Sequence, residues 1–386
     1  MCVECLLVSH RRISLVCLAR PTTVRDSLQR MERRREFLLH SVGAATLFTS
    51  GARAQSAWNR LLVRLDEQVS KLMTQHVVPG AAVALIKDGE IVWRREFGVR
   101  DAASKKPVET GTVFEAASMS KPVFAYSVMK LHERGLLDLD TPLTKYTPSR
   151  FLEGDPRLDL ITARHVLSHM SGFQNWRTDK EPLKIHFAPG SGFMYSGEGY
   201  NYLQTVVARV TKQPFEAYMK ANVLKPFGMT SSGYVWNRTF DRHSARPHDS
   251  QGRVLDNRKR TESDVARYGA AGDLHCTVSD YAKFLSEMVD PQPADDFRLT
   301  TKSAAEMLRP HVKIAEEYSL SWALGWKVLR FRGRTVISHG GDNPGFHCTS
   351  AAALETKSGF VMMTNSDSGV ALLKDIAPVL DEFLAV

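Results

Sequence analysis

The sequence predicts an α/β fold in which one sheet-forming lobe is interrupted by a helical insertion. Sheet-forming patterns lie near both ends of the chain, the long middle stretch reads as helices and loops, and neither an internal repeat nor a low-complexity linker separates them. Apolar residues recur at helical spacing over 61–76, and the apolar run 81–86 then meets Lys87-Asp88-Gly89-Glu90 before Ile91-Val92-Trp93, which predicts a helix followed by a hairpin. A long helix is expected over 118–134, stopped by Gly135. Helices are expected at 162–169, 200–210 and 278–288, strands at 323–328, 334–338, 349–354 and 359–364, and a closing helix at 369–384. The α/β lobe is therefore placed at about 55–145 and 305–386, and the helical lobe at about 146–304.

Charge and cysteine usage narrow the function classes. The formal charge is +9, but residues 1–54 hold nine arginines against four acids, so the basic balance belongs largely to the leader and nucleic-acid binding is not expected. In that leader, Arg33-Arg34-Arg35 runs into Glu36-Phe37-Leu38, a mildly apolar stretch over 39–49, and Ala52-Arg53-Ala54. This grammar resembles a twin-arginine signal peptide cleaved before Gln55, with Met31 an alternative start, and implies a periplasmic or secreted protein spanning 55–386. Cys2, Cys5 and Cys17 fall in the leader, leaving Cys276 and Cys348, whose expected state is two buried free thiols. No run after residue 55 approaches the ~18 apolar residues of a membrane span, so no integral span is expected in the mature chain.

Gly-x-Ser-x-Gly, His-Glu-x-x-His and the phosphate-binding Walker pattern are all absent from the sequence. Ser-x-x-Lys occurs twice, as Ser118-Met119-Ser120-Lys121 and as Ser127-Val128-Met129-Lys130. One helical turn sets lysine beside serine in both, yet only a helix N-terminus leaves the serine N–H free to act as half of an oxyanion hole. Ser127 falls mid-helix; Ser118 opens the helix, with Pro122 tolerated in its first turn. Ser118 is the candidate nucleophile. Lys121 can serve as its base only if burial or other positive charge pulls its pKa down from ~10.4. Tyr195, in the glycine-rich stretch from Pro189 to Tyr200, is a second proton carrier if neighbouring cations stabilise its phenolate.

The ordered set Ser118-x-x-Lys121, Tyr195-Ser196 and His339-Gly340-Gly341 resembles the serine β-lactamase and penicillin-binding-protein superfamily, on its class C β-lactamase and carboxylesterase branch. The segments 165–172, 225–229, 270–274 and 339–346 also look like family segments in the family's order, so the resemblance covers roughly 69–368. It implies an antiparallel sheet flanked by helices, the β-lactamase/DD-peptidase architecture, with an inserted all-helical lobe. It also implies that Ser118 is acylated, that Lys121 assists its deprotonation, and that Tyr195 shuttles the proton to the leaving group. The His339-Gly340-Gly341 triplet stands where the family has Lys-Thr-Gly, lining the site, with the Asp342 N–H as second oxyanion donor beside that of Ser118. His339 is a candidate for a proton transfer or a substrate contact.

Two departures shape the expected chemistry. The family's Tyr-x-Asn element reads Tyr195-Ser196-Gly197 here, without a side-chain amide, unless nearby Asn201 compensates, and His339 replaces a lysine that is permanently charged. Together they favour small esters, amides or peptides over efficient β-lactam hydrolysis, with no metal or organic cofactor expected. A D-amino-acid peptidase, a weak β-lactamase and a non-catalytic scaffold of the same fold are the alternatives. The i, i+4 pair His165 and His169 has metal-ligand spacing without an evident third ligand, and Trp176, Phe193, Tyr200, Trp326 and Phe346 are read as core packing, the alternative being the wall of an acyl pocket.

Overall fold

Asp88 and Gly89 both have positive φ, 51° and 79°, the backbone of a tight two-residue turn whose twist matches the strands on either side. That turn joins β1 (Gly80–Lys87) to β2 (Glu90–Asp101), as the Asp-Gly pair predicts. The computed structural model describes residues 42–385, so the arginine run and Met31 lie outside the described residues. The chain divides into two compact units, Met1–Gln68 and Val69–Val386. The described part of the first is helical, the opening of α1 (Val42–His76), and Ala52-Arg53-Ala54 falls within that helix. Among the described residues no helix is long and apolar enough to cross a membrane.

The second unit holds every described strand. After β2 come β3 (Lys106–Pro107), β4 (Phe114–Glu115), β5 (His275–Cys276), β6 (Val312–Ala315), β7 (Leu320–Trp322), β8 (Lys327–Phe331), β9 (Arg334–Asn343), β10 (Phe346–Ala353) and β11 (Ser358–Thr364). Nine of them form one antiparallel sheet in the order β3-β2-β1-β11-β10-β9-β8-β7-β6, while β4 and β5 pair separately. The middle of the sheet joins the two ends of the chain, with Ala81 opposite Thr364 and Leu85 opposite Phe360. β11 is buried along its whole length, which its near-continuous apolar sequence anticipates for a strand covered on both faces. Helices α8 (Val278–Val289) and α10 (Gly369–Leu384) cover it.

The intervening chain supplies α2 (Ser120–Glu133), α3 (Ala163–Leu167), α4 (Gly197–Thr211), α5 (Phe215–Met219), α6 (Arg238–His243), α7 (Glu262–Gly272) and α9 (Thr301–Leu308). Thr162, Ser196 and Thr261 cap α3, α4 and α7 by accepting backbone N–H groups, which explains where those helices start. One expected strand is different: 323–326 is a turn rather than the start of β8. Gly325, at φ 87°, folds there against α2, where a Cβ would come within 2.7 Å of Ala125 Cβ. Cys276 and Cys348 are free and buried, as expected.

Candidate active site

The N-terminus of α2 is preceded by a 3₁₀ turn, Ala117–Met119, so Ser118 stands two residues ahead of the α-helix rather than on its first turn. Ala117 holds a left-handed backbone, φ 47°, a conformation costing a non-glycine residue about 1–2 kcal/mol. Tertiary bonds hold it there. Ser120 Oγ donates to Ala117 O at 2.6 Å and accepts from Leu274 N–H at 2.9 Å, while Ala116 N–H donates to Leu274 O. The turn's backbone bonds run from Met119 N–H to Ala116 O and from Ser120 N–H to Ala117 O, and neither uses the Ser118 N–H. Ala116, Ala117, Met119 and Ser120 are buried, and Ser118 alone of this stretch is half-open.

Lys121 is fully buried and its ammonium nitrogen lies 3.1 Å from Ser118 Oγ. Nζ also donates to Ala271 O at 2.6 Å and sits 4.9 Å from the Tyr195 ring centre and 5.5 Å from that of Tyr200. Burial pulls its pKa from 10.5 down to about 7. Gln204, on α4, bonds both Val265 O and Ala270 N–H of α7, and so fixes the end of the helix that offers Ala271 O. The second Ser-x-x-Lys copy is structural: Ser127 Oγ bonds Phe124 O, and Lys130 is spent on Glu133 and on the carbonyls of Asp295 and Arg298.

Tyr195 reaches the same point from the extended segment before α4, its hydroxyl close enough to the Ser118 side chain to interact with it. Burial raises its pKa, the nearby Ser118 side chain opposes this, and Asp342 adds to the rise, so the resting group is the phenol rather than a cation-stabilised phenolate. His169 packs its ring 4.2 Å from that of Tyr195. Its Nδ1 accepts the Ser196 N–H at 3.0 Å, which puts the proton on Nε2, and burial holds the imidazole neutral. His165 has a separate task in the capping box of α3, so the pair seen in sequence does not converge.

The third wall is β9. Its ladder with β8 ends at Ser338, whereas its ladder with β10 continues to Asn343, so from His339 onward one edge of β9 has no strand partner. That edge lies against the turn that carries Ser118: a Cβ on Gly341 would run into Ala116 O and Ala117 Cβ, which is why glycine stands there. Gly340 and Asp342 are exposed, and the Asp342 carboxylate bonds His347 Nδ1 at 2.6 Å. His339 is buried beside the cluster, 6.3 Å from Tyr195 ring to ring, and bonds neither Ser118 nor Lys121. Its Nδ1 donates to Gly340 O at 2.6 Å, leaving Nε2 a buried acceptor without a partner among the described residues. Burial and the nearby Lys121 drive its pKa down to about 3, so it is a neutral imidazole at physiological pH.

Beta-lactamase is the family model that matches residues 65–384. The chain belongs to the beta-lactamase family. Within it, the chain is similar to Penicillin-binding protein 4* of Bacillus subtilis (strain 168), 25% identical over 328 residues that cover 76% of this chain and 69% of the relative. It is similar to Esterase EstB of Burkholderia gladioli, 32% identical over 224 residues, 50% of this chain and about half of the esterase at 56%. D-alanine carboxypeptidase AmpC from Burkholderia cenocepacia shares the fold, with a TM-score of 0.72 at 19% identity over 85% of this chain and 99% of that one. This beta-lactamase-family site also contains residues that sequence reasoning passed over. Trp322 packs against His169, Phe193, Tyr195 and His339, and Ala271 contributes only a carbonyl. Trp326 and Phe346 are core residues, as expected, and Asn201 is buried in α4 with its side-chain oxygen unpartnered among the described residues.

Proposed function

We propose that the chain hydrolyses small esters or amides through an acyl-Ser118 intermediate. The observation that carries this reading is the 3.1 Å approach to the half-open Ser118 Oγ of a fully buried Lys121 amine, whose burial brings its pKa down to about 7. Neutral Lys121 takes the hydroxyl proton as Oγ attacks the carbonyl carbon, and the N–H groups of Ser118 and Asp342 receive the oxyanion. On collapse, Tyr195 gives its proton to the leaving oxygen or nitrogen and is reprotonated from the Lys121 ammonium. Water then attacks the ester, its proton passing to the same pair, and Ser118 leaves with a proton restored. His339, neutral and unpaired at Nε2, suits acceptance of a hydrogen bond from substrate or water better than the charge role of a strand lysine.

The likeness to Esterase EstB and the absence of a side-chain amide at Gly197 support esters over β-lactams. The likeness to Penicillin-binding protein 4* supports a second reading, a D-amino-acid peptidase of the same mechanism. Protein beginning at Gln55 and its Ser118→Ala variant, assayed with p-nitrophenyl butyrate, nitrocefin and a fluorescent penicillin, separates them. Serine-dependent ester turnover with little nitrocefin hydrolysis is expected; a stable penicilloyl adduct favours the peptidase, and no Ser118-dependent reaction favours the scaffold. Export through the arginine-run leader, with removal before Gln55, is part of the same proposal, and N-terminal sequencing of protein recovered from outside the cytoplasm tests it.

A further inference from the structure

Gly197, the position without an amide, is not an open gap. A Cβ built there would meet three atoms of the Trp176 indole at 2.5–2.7 Å, so the ring occupies the space that any side chain at 197 would take. Trp176 is itself 42% exposed, one of the few large apolar side chains on the surface among the described residues, and it is held there from both sides. Asn175 accepts the N–H groups of Gly197 and Glu198 on its carbonyl and that of Gly197 on Oδ1 as well, at 2.8–3.1 Å. Arg177 donates its backbone N–H and its guanidinium to the buried Glu198 carboxylate at 3.0 and 2.7 Å, and its guanidinium also lies over the Phe151 ring. An exposed indole clamped by its two neighbours loses little further freedom on binding a ligand.

Its position relates it to the reacting groups. Gly197 follows Tyr195 by two residues, a reach of at most about 7 Å along the chain. The indole meets the Tyr268 ring edge-to-face at 6.4 Å, and Tyr268 precedes by three residues Ala271, whose carbonyl binds Lys121. Trp176 thus touches the two segments that carry Tyr195 and the carbonyl partner of Lys121.

We propose that Trp176, with Tyr268 at its edge, is the specificity-determining surface of this site and takes a flat apolar group, an aryl ring, of the substrate by stacking. This rests on the hydrolase reading above. A surface of this kind offers contact area and a π-face but almost no hydrogen-bonding demand, which suits an aryl ester or amide and not the polar amide that a side chain at 197 would hold.

The test uses ethyl acetate, ethyl phenylacetate and phenyl acetate, followed by titration of released acid with wild type, Trp176→Ala, Trp176→Phe, Gly197→Asn and Ser118→Ala. The acyl-side and alcohol-side esters tell which part of the substrate meets the indole. Trp176→Ala is expected to lower kcat/KM about five- to tenfold for the aryl ester that stacks, through KM, while leaving ethyl acetate unchanged. Trp176→Phe should restore most of the loss, and Gly197→Asn, which displaces the indole, should reproduce it. Equal changes on all three esters, or none on either aryl ester, overturn the inference while Ser118-dependent turnover stands. No Ser118-dependent turnover of any ester by the wild type overturns the hydrolase reading and the inference with it.

Discussion

The fully buried amine of Lys121 makes the pH dependence of the reaction calculable. Burial brings its pKa from 10.5 to about 7, a bias of about 5 kcal/mol against the charged form at ~1.4 kcal/mol per pH unit. If neutral Lys121 is the base, kcat/KM for a non-ionising ester rises about tenfold per pH unit below about 7 and flattens above it. The sign for stability is the same: between about 7 and 10.5 the unfolded chain binds more protons than the folded one, so this group's contribution improves as pH rises through that window and is costliest below it. A free imidazole titrates near ~6.5 and could mimic this limb. His339, driven down to about 3, does not titrate there, and His347, bonded to Asp342, supplies the second control. The assay is the pH profile of p-nitrophenyl butyrate hydrolysis between about pH 5 and 9 for wild type, His339→Gln, His347→Gln and Lys121→Arg. The limb should survive both histidine changes. It should vanish in Lys121→Arg, whose guanidinium keeps its proton, with a fall of about 10²- to 10⁴-fold at the plateau. A profile flat from about pH 5 to 8, or a limb lost in His339→Gln, refutes the assignment.

Three further outcomes follow from the surroundings of Ser118. Gly341→Ala drives a methyl into Ala116 O and Ala117 Cβ, and should cost about 1–3 kcal/mol in urea unfolding together with most of the ester turnover. Ala117→Gly removes a left-handed penalty of about 1–2 kcal/mol but adds about 0.5–1 kcal/mol of unfolded-state freedom, so unfolding should be harder by about 0.5–1 kcal/mol, with kcat reduced as the serine loosens. Arg260 pairs with Asp273 at 2.6 Å and Glu115 at 3.5 Å, all three buried, and Asn343 at the end of β9 bonds the same Glu115. Arg260→Met should cost about 3–5 kcal/mol in denaturant unfolding. Because burial raises the Asp273 pKa, its penalty grows as pH rises and the Arg260→Met loss should be larger at about pH 8 than at about pH 5.

What was legible in the chain was whatever short-range pattern controls. The Asp88-Gly89 hairpin and the closing helix, Gly369–Leu384, stand where periodicity and turn chemistry put them. The run at 323–328 misled because a short apolar segment carries no period of its own, and only packing of Gly325 against α2 decides that its first half turns. β9, expected over 334–338 from its apolar pattern, continues to Asn343 because it is paired with β10 there and Gly341 admits the turn that carries Ser118. Ser118, Lys121 and Tyr195 were found by side-chain chemistry in a recognisable order, and the fold brings them together. Ala271 contributes a backbone atom that every residue has and Trp322 matters through contacts between distant segments, so neither carried a sequence pattern; His169 stood out by its spacing from His165 and within the segment 165–172, but its packing on Tyr195 comes only from the fold. Trp176 read as ordinary packing until its place over Gly197 was known.

The central pairing of Ala81 with Thr364 has a consequence for synthesis. A ribosome delivers β1 and the serine turn early, yet β1 cannot meet β11, nor the turn its facing strand β9, until nearly the whole polypeptide has emerged. Contacts so remote in sequence form late and slowly, because a long loop must close before they reward it. The nascent chain therefore passes most of its elongation with Ser118 and Lys121 unwalled by β9, and release of the C-terminal segment is the event that completes the cluster.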